Sequence, residues 1–286
     1  NLGVFYVTAL SISIVTQFFL PAEVPMIPRL VGKKLLLPAN ALFTGTMYGS
    51  IIMGFFLAGP ALKFLGPTFT FFLIAAGFLG ASICNSLLPG NAGREYVRNQ
   101  MTQFLGLPYI QILRILFNDI GEMLFAIFRG RELLFAVLFL TIAQTVIIVL
   151  GVLLPGYATT ILALDVEDSS LILLAPAALG MILGSILVAR IGHKFLKGRL
   201  VLAGVILTGV ILSVLPLFSR LKNAPLDLLY TVGVLCFLLG VFNVMIIIPS
   251  NIIIQERSIA SIRGRIYGLF NALSALSSIV PVAMAG

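Results

Sequence analysis

Residues 173–200, LLAPAALGMILGSILVARIGHKFLKGRL, set an apolar run directly against a loop that carries Arg190, His193, Lys194, Lys197 and Arg199. A helix that crosses a hydrocarbon core of about 30 Å needs about 20 predominantly apolar residues. The run at 169–189 meets that length. Seven more runs of the same kind lie at 1–20, 41–61, 68–88, 133–154, 200–218, 228–249 and 266–286. Threaded alternately through a bilayer, the eight runs place Arg29, Lys33, Lys34, Arg94, Arg98, Arg114, Arg129, Arg131, Arg190, Lys194, Lys197, Arg199, Arg257, Arg263 and Arg265 on one side. Only Lys63, Arg220 and Lys222 fall on the other. Cytoplasmic loops are enriched in Lys and Arg, so the first side is assigned to the cytoplasm. The expectation is an all-α polytopic membrane protein with loops 21–40, 89–132, 190–199 and 250–265 cytoplasmic.

Composition supports the same class. Hydrophobic residues make up 60% of the chain and the mean hydropathy is +1.14, beyond the roughly half-apolar usage of soluble domains. The net charge of +8 is spread over four loops rather than gathered on one face, which argues against a nucleic-acid partner. Topology and contact with anionic headgroups account for it instead. Cys84 and Cys236 lie inside apolar runs without a partner at disulfide or metal spacing, as small buried hydrophobes do. His193, with no second His in the chain, gives no metal-ligand pattern. HExxH, GxSxG and GxxxxGK[ST] patterns are absent from the sequence, so neither an enzyme nor a cofactor is expected.

Along the chain, the first run carries Phe5, Tyr6, Thr8, Ser11, Ser13, Thr16 and Gln17, too polar a set for a helix facing lipid all round. Pro21, Pro25 and Pro28 are expected to break it and open a loop ending near Asn40. The second and third runs pair through a joint at Leu62–Pro67. Outer loops are expected at 155–168 and 219–227. From Tyr109 to Phe128 apolar residues recur at helical spacing among charges, which predicts an amphipathic helix on the membrane interface. Gly45 and Gly49, with Gly54 and Gly59 beyond, form a small-residue row that permits close helix packing, either within the bundle or between two chains.

Leu42 and Phe43 recur 227 positions later as Leu269 and Phe270, as do Ser50, Ile52, Ala58 and Gly59 at Ser277, Ile279, Ala285 and Gly286. A same-orientation repeat predicts two pseudo-repeated helical halves: residues 1–88 in one, 133–286 in the other, and 89–132 as the linker. The chain opens at Asn1 within one apolar run and closes at Gly286 within another, so it is expected to be an internal portion of a longer protein.

These segments resemble the major facilitator superfamily, and within it the bacterial efflux branch of enterobactin-exporter-like permeases. The matches are PAEVPMIPRLVGKKLLLPANAL at 21–42, IGEMLFAIFRGRELL at 120–134, the opening stretch 173–200, and IIIQERSIASIRGRIYGLFNAL at 252–273. By this resemblance the runs are spans four to eleven of twelve, in a bacterial inner membrane. Arg190, Gly192 and Lys194 are similar to the family's cytoplasmic loop motif, with Ala189 where the family has Asp. Arg263, Gly264 and Arg265 resemble its counterpart near the C-terminus. Gly54–Gly59 is similar to the antiporter pattern, with Phe55 where Pro is preferred.

The resemblance implies that spans four, seven and ten line a central cavity. Thr16 and Gln17, Thr141, Gln144 and Thr145, and Asn243 lie on those spans and are the candidate substrate contacts. An amide in a wet cavity both donates and accepts without the cost of a buried charge; the alternative is helix–helix hydrogen bonding, worth about 0.6 kcal/mol on average. No ionisable residue lies deep in the eight runs, so a proton-coupling carboxylate is expected outside them. The implied function is secondary active efflux of a small apolar or amphipathic molecule by alternating access, coupled to protons, by a monomer in the bilayer. Two alternatives stay open: an uncoupled facilitator or lipid-handling permease of the same fold, and a non-transporting membrane scaffold or sensor.

Overall fold

The computed structural model describes residues 2–87, 109–161, 166–218 and 225–285. Among them the chain is helical: α1 (Leu2–Leu30), α2 (Leu36–Ser86), α3 (Tyr109–Arg129), α4 (Arg131–Ile161), α5 (Val166–Ile191), α6 (Lys197–Phe218), α7 (Pro225–Arg257) and α8 (Ala260–Ala285), with single 3₁₀ turns at Lys33–Leu35 and Gly192–Lys194. Apolar stretches of this length satisfy every interior backbone N–H and C=O within the helix, which a hydrocarbon surround requires.

Six described segments are long and apolar enough to cross a membrane: Lys33–Gly54, Lys63–Ser86, Arg131–Leu153, Leu173–Lys194, Lys197–Leu215 and Tyr230–Arg257. The expected runs at 1–20 and 266–286 are helical as α1 and α8 but are not among the six. Among the described residues, α1 carries a shorter apolar stretch, Tyr6–Thr16.

Several expected loops are corrected. Helix α1 continues through Pro21, Pro25 and Pro28 to Leu30, and Asn40 lies inside α2, so most of 21–40 is helix. Proline removes one donor and strains one turn, and neighbouring helices can absorb that loss in a bundle; Pro25 is buried. The chain breaks only around Gly32. Likewise α7 runs to Arg257 and α8 starts at Ala260, so 250–265 is almost wholly helical. The expected amphipathic helix appears as α3, while 89–108 lies outside the described residues. In 155–168, α4 continues to Ile161 and α5 starts at Val166. The joint expected at Leu62–Pro67 is a single non-helical residue, Gly66, at φ 75° and ψ 165°. Glycine adopts that backbone without a Cβ penalty, and Pro67 then opens the next helical segment.

The chain divides into two compact units, residues 1–52 with 126–286, and residues 53–125. In the first, α7 is central and packs on α4, α5 and α6, while α4 also meets α5 and α8, and α1 meets α8. One apolar cluster joins Ile27 of α1, Leu36, Ala41 and Tyr48 of α2, Met181 and Val188 of α5, and Val244, Ile248 and Ile252 of α7. A second joins Leu173, Leu215, Val232 and Cys236. Lipid tails are as apolar as leucine, so packing rather than water exclusion holds such helices together. Small residues accordingly sit at the tightest crossing. A Cβ on Gly240 of α7 would lie 2.0 Å from the Ala177 carbonyl oxygen of α5, and one on Gly180 would lie 2.0 Å from that of Phe237.

In the second unit the arm of α2 beyond Gly66 exposes Phe69, Phe71, Phe72 and Phe78. A row of exposed rings exceeds what a water-soluble surface carries and suits acyl chains.

Candidate functional site

Two polar groupings stand out in the first unit: one midway along α4 and α7, the other at the basic ends of the helices. Midway, the Asn243 side chain of α7 is buried and donates from Nδ2 to the Ala143 carbonyl oxygen of α4, at 3.2 Å. Its Oδ1 has no protein partner, and neither does the buried Thr145 hydroxyl two residues beyond Ala143. Thr141 is also buried, but its hydroxyl donates to Val137 O of its own helix, at 2.9 Å. Gln144 is half-buried on the same helix. Thr16 on α1 is exposed and donates to Ile12 O, at 2.9 Å; the Gln17 side chain lies outside the described residues. Asn243 is therefore brought to an α4–α7 contact, Thr145 lies two positions along the same α4, and Thr16 is not tied to that contact.

An unpartnered buried polar group costs about 1–3 kcal/mol. Thr208 on α6 and Ser250 on α7 carry two further such hydroxyls. The sequence reading passed over both, since Ser and Thr in a membrane helix ordinarily bond back to a carbonyl four residues earlier, and only the structure shows that these do not.

At the basic ends the polar groups are paired. Asn40 Nδ2 donates to Gln255 Oε1 at 2.8 Å, and Gln255 Nε2 donates to Asn40 Oδ1 at 3.0 Å. Asn40 Nδ2 also reaches Leu36 O at 2.8 Å, and Gln255 Nε2 reaches Val24 O of α1 at 3.4 Å. Arg263 of α8 then caps α7: its guanidinium donates to Gln255 O at 2.7 Å, and to Ser258 O and Oγ at 3.1 and 3.2 Å. A helix leaves its last carbonyls unsatisfied and carries partial negative charge at that end, so a buried cation is favoured there. Burial draws the Arg263 guanidinium below its usual range; Tyr267 opposes that and nearby Arg29 adds to it. Tyr267 donates to Asn251 Oδ1 at 2.9 Å. Around this buried set, Lys197 pairs with Glu256, and Arg257 pairs with Glu132 at 2.7 Å. These pairs are solvent-facing and contribute about 0–1 kcal/mol each.

The motif-like residues separate. Arg263 enters the buried network and Gly192 is buried, where a Cβ would lie 3.4 Å from Leu37 Cδ2 of α2. Arg190, Lys194 and Gly264 are exposed, and Arg265 is half-buried. In the glycine row, a Cβ on Gly45 would meet the Ser185 hydroxyl at 2.6 Å and one on Gly49 would meet Ile182 Cδ1 at 3.9 Å, while Gly54 faces open space; Gly59 lies outside the described side chains. The row's first half thus packs α2 on α5. Gly180 and Gly240 pack more tightly still, and a Cβ on Gly184 would meet the Val241 backbone at 2.9 Å. The signal was present as GMILG at 180–184, and its partner Gly240 lies on a helix without that spacing.

The described residues hold no group of three or more His, Cys, Asp and Glu able to bind a metal. A family model described as Major Facilitator Superfamily matches residues 1–281. No curated protein and no solved structure matches the chain.

Proposed function

We propose, for a chain that belongs to the Major Facilitator Superfamily and is therefore read as a membrane transporter, secondary active efflux of a small apolar or amphipathic molecule by alternating access. The observation that carries the reading is the reciprocal Asn40–Gln255 amide pair, which ties α2 to α7 and, through Val24, to α1. In this proposal residues 1–88 and 133–286 belong to two halves that rock about a midplane site, with 89–132 joining them. In this reading the basic end is the cytoplasmic one, and the amide pair is its closure. Amide hydrogen bonds suit a closure that must reopen, because each amide can exchange its partner for water as the end opens, whereas a buried ion pair would leave two charges to resolvate.

Asn243, Thr145, Thr141 and Gln144 of α7 and α4, with Thr16 and Gln17 of α1, are the proposed substrate contacts. The unpartnered Asn243 Oδ1 and Thr145 hydroxyl support this for α4 and α7, since a polar group on the substrate would satisfy them. Transport of an amphipathic fluorescent dye by the whole protein in proteoliposomes tests the reading. Replacing Gln144 and Asn243 together with Leu abolishes transport at unchanged expression; undiminished transport removes both from the site.

Proton coupling belongs to the same proposal, and a protonophore then collapses dye export. A second reading, the uncoupled facilitator, is favoured by one observation: the charged residues of the six described spans cluster at their ends. Export that persists with the protonophore present would establish it in place of the coupled one.

A further inference from the structure

The two 3₁₀ turns, Lys33–Leu35 and Gly192–Lys194, belong to distant parts of the chain and are carried on one apolar cluster. Val31 and Leu37, on either side of the first turn, and Val188 and Ala189, just before the second, all pack in it. Gly192 completes the approach, with no side chain to hold Leu37 away. The turns on either side of that contact carry Lys33, Lys34, Arg190 and Lys194, all exposed. None of the four has an acidic partner among the described residues; the two ion pairs found use Lys197 and Arg257 instead. Like charges repel when brought together without a counter-ion, so four cations carried on these turns are stable only where an anion or water screens them.

Their depth says what that anion is. Lys33 opens one membrane-spanning segment and Lys194 closes another, so both turns lie at the boundary where the hydrocarbon ends and lipid phosphates begin. We infer that the paired turns form a binding site for an acidic phospholipid headgroup, whose phosphate bridges Lys33 and Lys34 on one turn and Arg190 and Lys194 at the other. Arginine supplies a planar fork to phosphate oxygens and lysine a compact charge on a flexible stem, a mixture suited to a headgroup that arrives in varied orientations. Basic patches between helices near the headgroup level attract anionic lipid at about 1 kcal/mol per charge. The inference needs no transport activity and stands independently of the proposed function.

The test is native mass spectrometry of the full chain released from mixed nanodiscs of phosphatidylglycerol and phosphatidylcholine. The wild-type chain retains phosphatidylglycerol over phosphatidylcholine. K33Q, K34Q, R190Q and K194Q each weaken that preference by about fivefold, the factor equivalent to the per-charge attraction, and the quadruple variant abolishes it. The exposed Lys63, past the far end of the span Lys33–Gly54, is the control, and K63Q leaves retention unchanged. Because single substitutions at exposed positions disturb folding little, they carry the test even if the quadruple variant is not recovered. Equal retention of the two lipids, or equal weakening by K63Q, overturns the site. Displacement of the lipid by millimolar inorganic phosphate also overturns it, since the cluster would then read phosphate alone.

Discussion

The side chains of Asn40 and Gln255 hydrogen-bond each other twice, as a closed ring of two amides, across 215 positions of sequence. Both residues are almost wholly buried, at 1% and 2% exposure. Each amide therefore depends on the other for satisfaction, and the pair holds α2 against α7 in a single register.

Removing both members should cost less than the two single losses summed. N40L leaves the Gln255 amide buried with only the long Val24 contact, and Q255L strands Asn40 with only Leu36 O. Each single variant is expected to lose about 1–3 kcal/mol. The N40L/Q255L double variant should lose less than the two singles summed, with a coupling of about 0.5–3 kcal/mol. Thermal unfolding midpoints of the four proteins in one detergent close the cycle. Strict additivity would show that the two amides act independently.

The tightest helix crossing predicts a steep dependence on side-chain size. A Cβ at Gly240 would fall 2.0 Å from the backbone oxygen of Ala177, and no rotamer change relieves a clash with backbone. Helices α5 and α7 must then separate, disturbing the contacts that Gly180 and Gly184 share. G240A is expected to cost at least ~3 kcal/mol, the upper end for overpacking. G54A, which points into open space, should shift the midpoint by less than ~0.5 kcal/mol equivalent. The comparison is one thermal scan per variant, and a mild G240A would mean that this crossing is looser than described.

Much of this architecture is legible in the sequence because its causes are local. Length and apolarity mark the spans, and the loop basicity at 190–199 marks one end. The amphipathic spacing of 109–128 finds α3, and the Gly45–Gly49 spacing finds a packing edge. What escapes depends on tertiary partners. The prolines at 21, 25 and 28 would end a helix in water, yet α1 runs through them within a bundle. Asn40 and Gln255 both read as residues of cytoplasmic loops, 21–40 and 250–265, and nothing short-range declares that they pair. Arg263 reads as a member of a basic loop motif; only the fold reveals that it caps α7. Midway along α7, Asn243 is visible as a polar residue in an apolar run, but its unpaired oxygen is visible only once Ala143 is placed beside it.

Glu23, half-buried on α1 beyond the Tyr6–Thr16 stretch, gives a pH dependence. Burial raises its carboxyl above the ordinary value of 4.5, so the folded chain binds this proton more readily than the unfolded chain. Its contribution to stability is then fully present below about pH 4.5 and is lost as pH rises through the raised value. E23Q removes that loss. The unfolding midpoint of E23Q should therefore gain on wild type as pH rises above 4.5, with the gap ceasing to widen once Glu23 is ionised in the folded chain as well. A constant offset at all pH values would show that Glu23 titrates alike in both states.

The hydroxyl of Thr145 offers the sharpest separation of structure from function. It is buried and lacks a protein partner, so the folded state carries its desolvation cost without return. T145V keeps the shape and removes the hydroxyl, and stability should hold or rise, by up to about 1–3 kcal/mol. Asn243 differs, because its amide does make the Ala143 bond. N243L loses that bond and relieves the unpaired Oδ1, and the two effects should leave stability within about 1 kcal/mol of wild type. If both groups contact substrate, dye transport falls in each variant while the unfolding midpoint holds. A T145V protein that is clearly less stable would reveal a structural partner for the hydroxyl. Undiminished transport in a stable T145V protein would exclude the residue from the substrate path and leave Asn243 and Gln144 to carry it.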